Sequence, residues 1–587
     1  MKNLVISLFL LVNLGCASSP VQETTTPDME TLGNSFQTMI FEAMKNEDLP
    51  GLALTVYTPD LGTWTAGYGN TAGWGAVPVT PQTGFCLGSI SKTFTAAAVV
   101  NLAREGKIDL DAPLRTYIPE FRIQSRFPGS LEVTVKHLLT HTSGVPSDRY
   151  VDIFSGKTGD FRSALDFIQG DYLLFPPGER TSYTNLGYAL LGILIERVTG
   201  RDFYDYEREE ILKPLGMVHS DFDKNRFPVA LRSKGQLPGW ALDEPTYWTA
   251  PASSLWSTAQ DLRSFFKAMD DRWQDPEIIG VLDHNSQNLM RTIPIPLPLL
   301  NNGKEGGLGV WPDPLPWNAN FPVLYHDGGT LGFNTIYLWI PEERIGIAIF
   351  SNKRTGFKEA LTNQILQRIR TLRGWDTPIA SKKPYQTPAS LSLPEGRSYF
   401  ALKEGLYTLD RQGENYTWTL EGLESDSGTL TWKDGVALIL GKTGMVREKV
   451  IFLQSHGRLI WVRTLKTGEV NQEYRGSSVT VQPLNQTWRS LAGTWEISNP
   501  TGIEGLPLPA SRDQVTIAAL SSHLNLSFSP GLTTGFQKIS FNFLPVNEEQ
   551  VVKMGSEERD SGTTAYLKLV EGVPEIRYMG IILRRVK

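Results

Sequence analysis

The stretch from Thr83 to Gly106, TGFCLGSISKTFTAAAVVNLAREG, places the tightest constraint on the chain. Leu87-Gly88 delivers Ser89 just where a helical pattern begins. Ile90, Phe94, Ala97 and Ala98 recur at i, i+4, i+7 and i+8, one face of a helix, and Gly106 is a good C-terminal stop. Ser89 and Lys92 stand three apart and share a helix face. An amine then lies beside a hydroxyl at a helix N-terminus, where backbone N–H groups and the macrodipole favour a developing anion. Serine is a weak nucleophile that needs an adjacent base. A neutral lysine can serve, provided its pKa falls from about 10.4 towards 7, which a solvated helix does not bring about.

Spacing alone decides little, because Ser264-Phe265-Phe266-Lys267 repeats it inside the amphipathic run TAQDLRSFFKAMDDRW. There the serine sits mid-helix with no free backbone donors around it, and the plain structural reading holds. Ser89 differs in having partners further along. PPGERTSYTNLGY carries Tyr183-Thr184-Asn185 into an apolar helix, and YHDGGTLGFNTIYLWI carries His326-Asp327-Gly328-Gly329 beside β-prone segments. The order Ser-x-x-Lys, Tyr-x-Asn, Lys/His-x-Gly resembles the serine β-lactamase and penicillin-binding-protein superfamily. VTVKHLLTHTSGVP, PPGERTSYTNLGY and HDGGTLGF resemble the branch of class C β-lactamases, D,D-peptidases, D-aminopeptidases and related esterases.

That resemblance covers residues 31–373 and implies an α+β catalytic domain: one antiparallel sheet flanked by helices, with a helical region beside the cleft. It also implies the roles. Ser89 attacks a carbonyl, while Lys92 and Tyr183 manage its proton. Asn185, His326, Gly328 and Gly329 bind substrate, with the backbone N–H groups of Ser89 and Gly329 as oxyanion donors. Decoys fall away by order. Tyr68-Gly69-Asn70 precedes Ser89, and Lys-Thr-Gly at 157–159, 442–444 and 466–468 lies before Tyr183 or beyond the domain. Where relatives carry a lysine in the third motif, this chain has His326, a mostly neutral group at pH 7.5 when unperturbed.

Around this domain the 587 residues divide by composition. Met1–Cys16, with Lys2, an apolar run from Leu4 to Leu14 and Gly15-Cys16, reads as a bacterial lipoprotein-type signal with Cys16 as the lipidated residue, although Asn13 departs from the usual leucine. Residues 17–30 read as a tether. The expected location is the cell envelope, lipid-anchored and facing the periplasm or exterior. Cys86, the other cysteine, reads as a packed small residue. A Pro-rich linker is expected over 374–400, marked by Pro378, Pro384, Pro388 and Pro394. Short β-rich runs follow, with a weak repeat opened by Gly405-Leu406-Tyr407 and Gly493-Thr494-Trp495. Two all-β domains, 401–482 and 483–587, are expected, resembling the lipocalin-like barrels appended to D-aminopeptidases and esterases of this branch.

A net charge of −6 argues against nucleic acid as a partner. No HExxH or spaced Cys/His cluster calls for a metal, and no cofactor is expected. The expected activity is a serine hydrolase working through an acyl-enzyme on Ser89, a D-amino-acid peptidase or esterase. A β-lactamase, or an inactive binder of cell-wall fragments, is the alternative. The partner in every case is a small-molecule or peptide substrate: a D-amino-acid peptide, an ester or a β-lactam.

Overall fold

The computed structural model describes residues 29–587 except 73–75, 128, 148–159, 238, 245–246, 271–280, 293–305, 313–314, 318–320, 376–392, 403–404, 423–424, 434–435, 456–457, 465–471, 479–485, 498–513, 521–523, 530–538, 546–549, 554–563, 571–572, 579–580 and 586–587. Cys16, Lys157, Lys466 and the prolines 378, 384 and 388 lie outside the described residues.

The first domain is built on a five-stranded antiparallel sheet. Its spatial order is Gly62–Gly69, Gly51–Thr58, Ile345–Ser351, Asn334–Ile340, Leu324–Gly329. The central pairing, Leu52 with Ser351 through Tyr57 with Gly346, joins strands from opposite ends of the domain. Asn334–Ile340 is buried along its whole length, and its alternation shows why. Ile336, Leu338 and Ile340 pack with Leu32, Phe36 and Ile40 of helix Met29–Asn46 and with Leu361, Ile365 and Ile369 of helix Lys358–Leu372. Tyr337 and Trp339 face the other way, onto Phe94, Phe265 and Phe266. The period of two thus divides one strand between two cores.

The helical region lies between strands Gly62–Gly69 and Leu324–Gly329, and its centre is helix Ser91–Arg104. The expected single apolar face is a correction: every residue from Ser91 to Leu102 is buried. Alanines at 96, 97 and 98 let neighbours approach from all sides, including helix Asn185–Thr199 and the turn Ala250–Ser253. Such a helix carries no solvated face to moderate the chemistry of Lys92.

The C-terminal region is all-β. Strands from Gly396–Leu402 to Gln472–Ser478 close an eight-stranded barrel, and strands from Gly493–Ile497 to Ile581–Arg585 close a second. Phe400, Tyr407, Trp418, Phe452 and Trp461 fill the first. Its opening strand begins at Gly396, inside the stretch expected to be linker, so Gly405 opens the second strand of one barrel whereas Gly493 opens the first strand of the other. The two members of the weak repeat therefore occupy different barrel positions. The first barrel touches the catalytic domain through Arg458, which begins strand Arg458–Thr464 and donates to Glu179.

Candidate active site

Ser89 sits in a 3-10 turn, Gly88–Ile90, at the head of helix Ser91–Arg104. The turn is held from both sides. Leu87 N–H donates to Leu255 O at 2.7 Å, Ser91 Oγ donates to Gly88 O at 2.6 Å, and Leu255 N–H donates to Ser91 Oγ at 2.9 Å. Gly88 has φ +57°, a left-handed value that suits glycine. A Cβ there would stand 3.1 Å from the Gly329 nitrogen, so the nucleophile turn and the end of strand Leu324–Gly329 lie against each other.

Lys92 is fully buried. Its Nζ donates to Asn185 Oδ1 at 2.6 Å and to Ala252 O at 2.9 Å, and lies 3.4 Å from Ser89 Oγ. The Nζ thus lies among fixed acceptors and within reach of the hydroxyl, a setting that suits a group that takes and returns one proton. Asn185 is the first residue of helix Asn185–Thr199, and Thr184 caps that helix by accepting from Gly187 N–H at 2.9 Å. The Tyr183 ring lies 4.6 Å from Lys92 Nζ and the Tyr188 ring 5.5 Å.

His326 is buried in the same cluster, its ring 6.4 Å from that of Tyr183 and 6.0 Å from that of Trp311. Burial lowers its pKa to about 4, with the Asp327 carboxylate pulling the other way. The neutral ring places Nδ1 2.6 Å from Asp327 O; a carbonyl only accepts, so Nδ1–H is the donor and Nε2 is left as an acceptor. Asp327 itself pairs with Lys358 at 2.9 Å. A Cβ on Gly328 would meet Leu87 O at 2.0 Å and Thr335 Oγ1 at 2.2 Å, whereas one on Gly329 would meet only Arg354, from 3.8 Å. Gly328 is thus the packing position and Gly329 the open one.

Ser89, Lys92, Tyr183, Asn185, His326, Gly328 and Gly329 are brought to one place. Ser264 is not among them; it lies in helix Ala259–Met269 against Gly216. Cys86 is buried, and burial raises its thiol pKa, so it is an inert packing residue.

Two further residues support the site that motif reading passed over. His141, in the phrase LTHTSG, packs its ring against that of Tyr183 at 4.4 Å and accepts Thr184 N–H on Nδ1 at 3.1 Å. Glu244, fully buried, accepts the N–H groups of Leu331 at 3.0 Å and Gly332 at 3.1 Å, and so holds the turn that follows Gly329. His141 stood in a quoted motif, so its type was visible; Glu244 lies in no motif at all. Among the described residues, no group of three or more His, Cys, Asp or Glu is arranged to hold a metal, and no helix is long and apolar enough to cross a membrane.

The Ser89 turn lies between a five-stranded antiparallel sheet and a helical region, an arrangement similar to that of the serine β-lactamases and penicillin-binding proteins. Residues 36–370 match the family model described as Beta-lactamase, and the chain belongs to that family. It is similar to Protein flp of Staphylococcus aureus, at 26% identity over 364 residues, 60% of this chain and 68% of that protein. Beta-lactamase-like protein 2 of Dictyostelium discoideum is 27% identical over 315 residues, 51% of this chain and 56% of that protein. Among solved structures, the octameric penicillin-binding protein homologue from Pyrococcus abyssi aligns with TM-score 0.51 at 23% identity, over 76% of this chain and 99% of that one. SurE aligns with TM-score 0.56 at 22% identity, again over 76% and 99%. These structures share the fold, and the aligned share reaches past the catalytic domain into the β region.

Proposed function

We propose that the chain is a serine hydrolase that forms an acyl-enzyme on Ser89. The observation that carries this reading is the buried Lys92 Nζ, fixed by Asn185 and Ala252 and 3.4 Å from Ser89 Oγ. In the proposed reaction Ser89 Oγ attacks a carbonyl carbon, and its proton passes to Lys92 with Tyr183 alongside. The oxyanion is met by the N–H groups of Ser89 and Gly329, each such donor being worth about 2.7–4 kcal/mol in comparable sites. The proton then goes to the leaving group, and water releases the acyl group by the reverse relay.

A D-amino-acid peptide or a small ester is the substrate class we favour over a β-lactam. A neutral His326 offers no permanent charge to the free carboxylate of a penicillin, where a lysine would. The proposed location is the cell envelope with a lipid on Cys16; Cys16→Ser would then shift the protein from membrane to soluble fractions, and unchanged fractionation would remove that part of the reading.

A fluorescent fluorophosphonate tests the nucleophile. Wild type and Ser264→Ala are expected to label, and Ser89→Ala is not. Labelling that survives Ser89→Ala in folded protein would place the nucleophile elsewhere, and folded wild type that fails to label would exclude the proposed chemistry and favour a binding protein. A panel of D-aminoacyl amides, D-Ala-D-Ala peptides, p-nitrophenyl esters and a cephalosporin then sorts the substrate class.

A further inference from the structure

The loop that carries Tyr183 has no regular secondary structure, yet its position sets the distance from the phenol ring to Lys92. One wall holds it by hydrogen bonds: Gly178 N–H to Thr142 O at 2.8 Å, Ser182 N–H to His141 O at 2.8 Å, and Thr184 N–H to His141 Nδ1 at 3.1 Å. The other hold comes from a different domain. Arg458, at the corner where strand Val446–Ser455 turns into Arg458–Thr464 of the first barrel, places Nη2 2.7 and 2.6 Å from the two carboxylate oxygens of Glu179. The Glu179 side chain has 0% exposure and that of Arg458 has 19%. The guanidinium also covers the ring of Phe127 at 4.5 Å.

We propose that Arg458 is a positioning residue for acylation, fixing the Tyr183 loop through Glu179, so that the first barrel is a working part of the catalytic unit. The physical basis is the cost of a buried carboxylate. A charge with no exposed surface has to be compensated where it stands, and removing a cation that holds both of its oxygens favours a shift of the carboxylate towards water. Glu179 and Tyr183 are joined by only Arg180, Thr181 and Ser182. A shift of Glu179 is therefore transmitted to the phenol ring and to the Lys92–Ser89 geometry. Arginine suits the post because its guanidinium lies over the Phe127 ring while Nη2 reaches both carboxylate oxygens; a lysine reproduces the charge without the extended group.

The proposal rests on Ser89 being the nucleophile, and the experiment separates the two. In the full-length protein, the second-order rate of fluorophosphonate labelling is measured for wild type, Ser89→Ala, Arg458→Lys, Arg458→Ala, Arg458→Glu and the exchange Glu179→Arg/Arg458→Glu. Each is measured well below its melting temperature. Arg458→Ala is expected to label about 10- to 100-fold more slowly, the scale on which misplacement of about 1 Å acts. Arg458→Lys is expected to fall between it and wild type, and the exchange to recover rate over Arg458→Glu alone. With p-nitrophenyl acetate the loss is expected in kcat/KM, which reports acylation, and the pH profile of kcat/KM is expected to shift, which a purely structural role would not produce. A folded Arg458→Ala that labels at the wild-type rate overturns the proposal. If Arg458→Ala does not fold, Arg458→Lys decides: about threefold or more slowing supports it, and a wild-type rate overturns it. A wild type that fails to label at all removes the Ser89 reading, and this proposal with it.

Discussion

His141 and Tyr183 pack with ring centroids 4.4 Å apart and planes tilted by 33°, and the same imidazole accepts the N–H of Thr184, the residue that caps the next helix. One side chain therefore holds both the aromatic ring of the site and the start of the helix that presents Asn185.

His141→Ala removes the ring that packs against Tyr183 and leaves a buried N–H without its acceptor. The unmade hydrogen bond costs about 1–3 kcal/mol. Stability is expected to fall by that order in denaturant unfolding, and fluorophosphonate labelling to slow by about tenfold or more. Labelling at the wild-type rate would mean that Tyr183 holds its place without this support. The backbone at His141 has φ +59°, so His141→Asn, which tolerates that conformation and keeps an acceptor, is expected to retain more stability than His141→Ala.

The two glycines of the third motif are expected to behave oppositely. Gly328→Ala would drive a methyl group into Leu87 O and Thr335 Oγ1. We expect a loss at the upper end of about 1–3 kcal/mol, together with displacement of the Ser89 turn. Gly329→Ala has open space and is expected to fold with wild-type stability. Melting temperatures of the two variants check this; equal values would show that the strand and the nucleophile turn are less closely fitted than their contact distances require.

His326 gives a pH signature. In the unfolded chain its pKa is about 6.5, and burial lowers it to about 4 in the fold. Above pH 6.5 both states are neutral and the group makes no difference. As pH falls the unfolded state takes up a proton first, so stability is lost from about pH 6.5 and the loss is complete near pH 4, amounting to about 3 kcal/mol. Urea unfolding of wild type and His326→Gln between pH 7.5 and 4.5 is the measurement. A smaller decline in the variant is expected; parallel curves would place the acid sensitivity elsewhere.

Substrate choice is expected to follow the charge at the same position. His326→Lys adds a cation and should raise benzylpenicillin acylation relative to a neutral p-nitrophenyl ester by about ten- to a hundredfold. The quantity is the ratio of the two kcat/KM values at pH 7.5. A wild-type ratio already favouring penicillin, or a mutant ratio that falls, would refute the assignment.

The proximity of Ser89, Lys92, Tyr183, Asn185 and His326 was legible only through the resemblance of their motif order to the family's, since the motifs lie far apart in the chain. The sheet was legible from NTIYLW and RIGIAIF, whose β-branched and aromatic runs have few other uses. His141 was visible only as a residue type: its φ of +59° and its ring contact with Tyr183 come from how distant loops pack. Glu244 is an ordinary acidic residue in sequence and becomes important only because the turn after Gly329 descends on it. Arg458 and Glu179 lie 279 positions apart, and nothing local to either announces the other. The opening strand Gly396–Leu402 was obscured because the prolines before it blurred the boundary and the Gly-Leu-Tyr signal pointed one strand too late.

The pairing of Gly51–Thr58 with Ile345–Ser351 has a consequence for how the protein is made. The first hairpin leaves the ribosome almost three hundred residues before the strand that must lie beside it. Until then it presents an unpaired apolar edge, open to any other chain with a free strand. A contact of such high sequence separation forms slowly, since chain closure precedes its reward. Synthesis halted before Ile345 would leave two hairpins, Gly51–Gly69 and Leu324–Ile340, with no strand to join them, so premature termination in this region is expected to yield aggregates rather than a smaller folded enzyme.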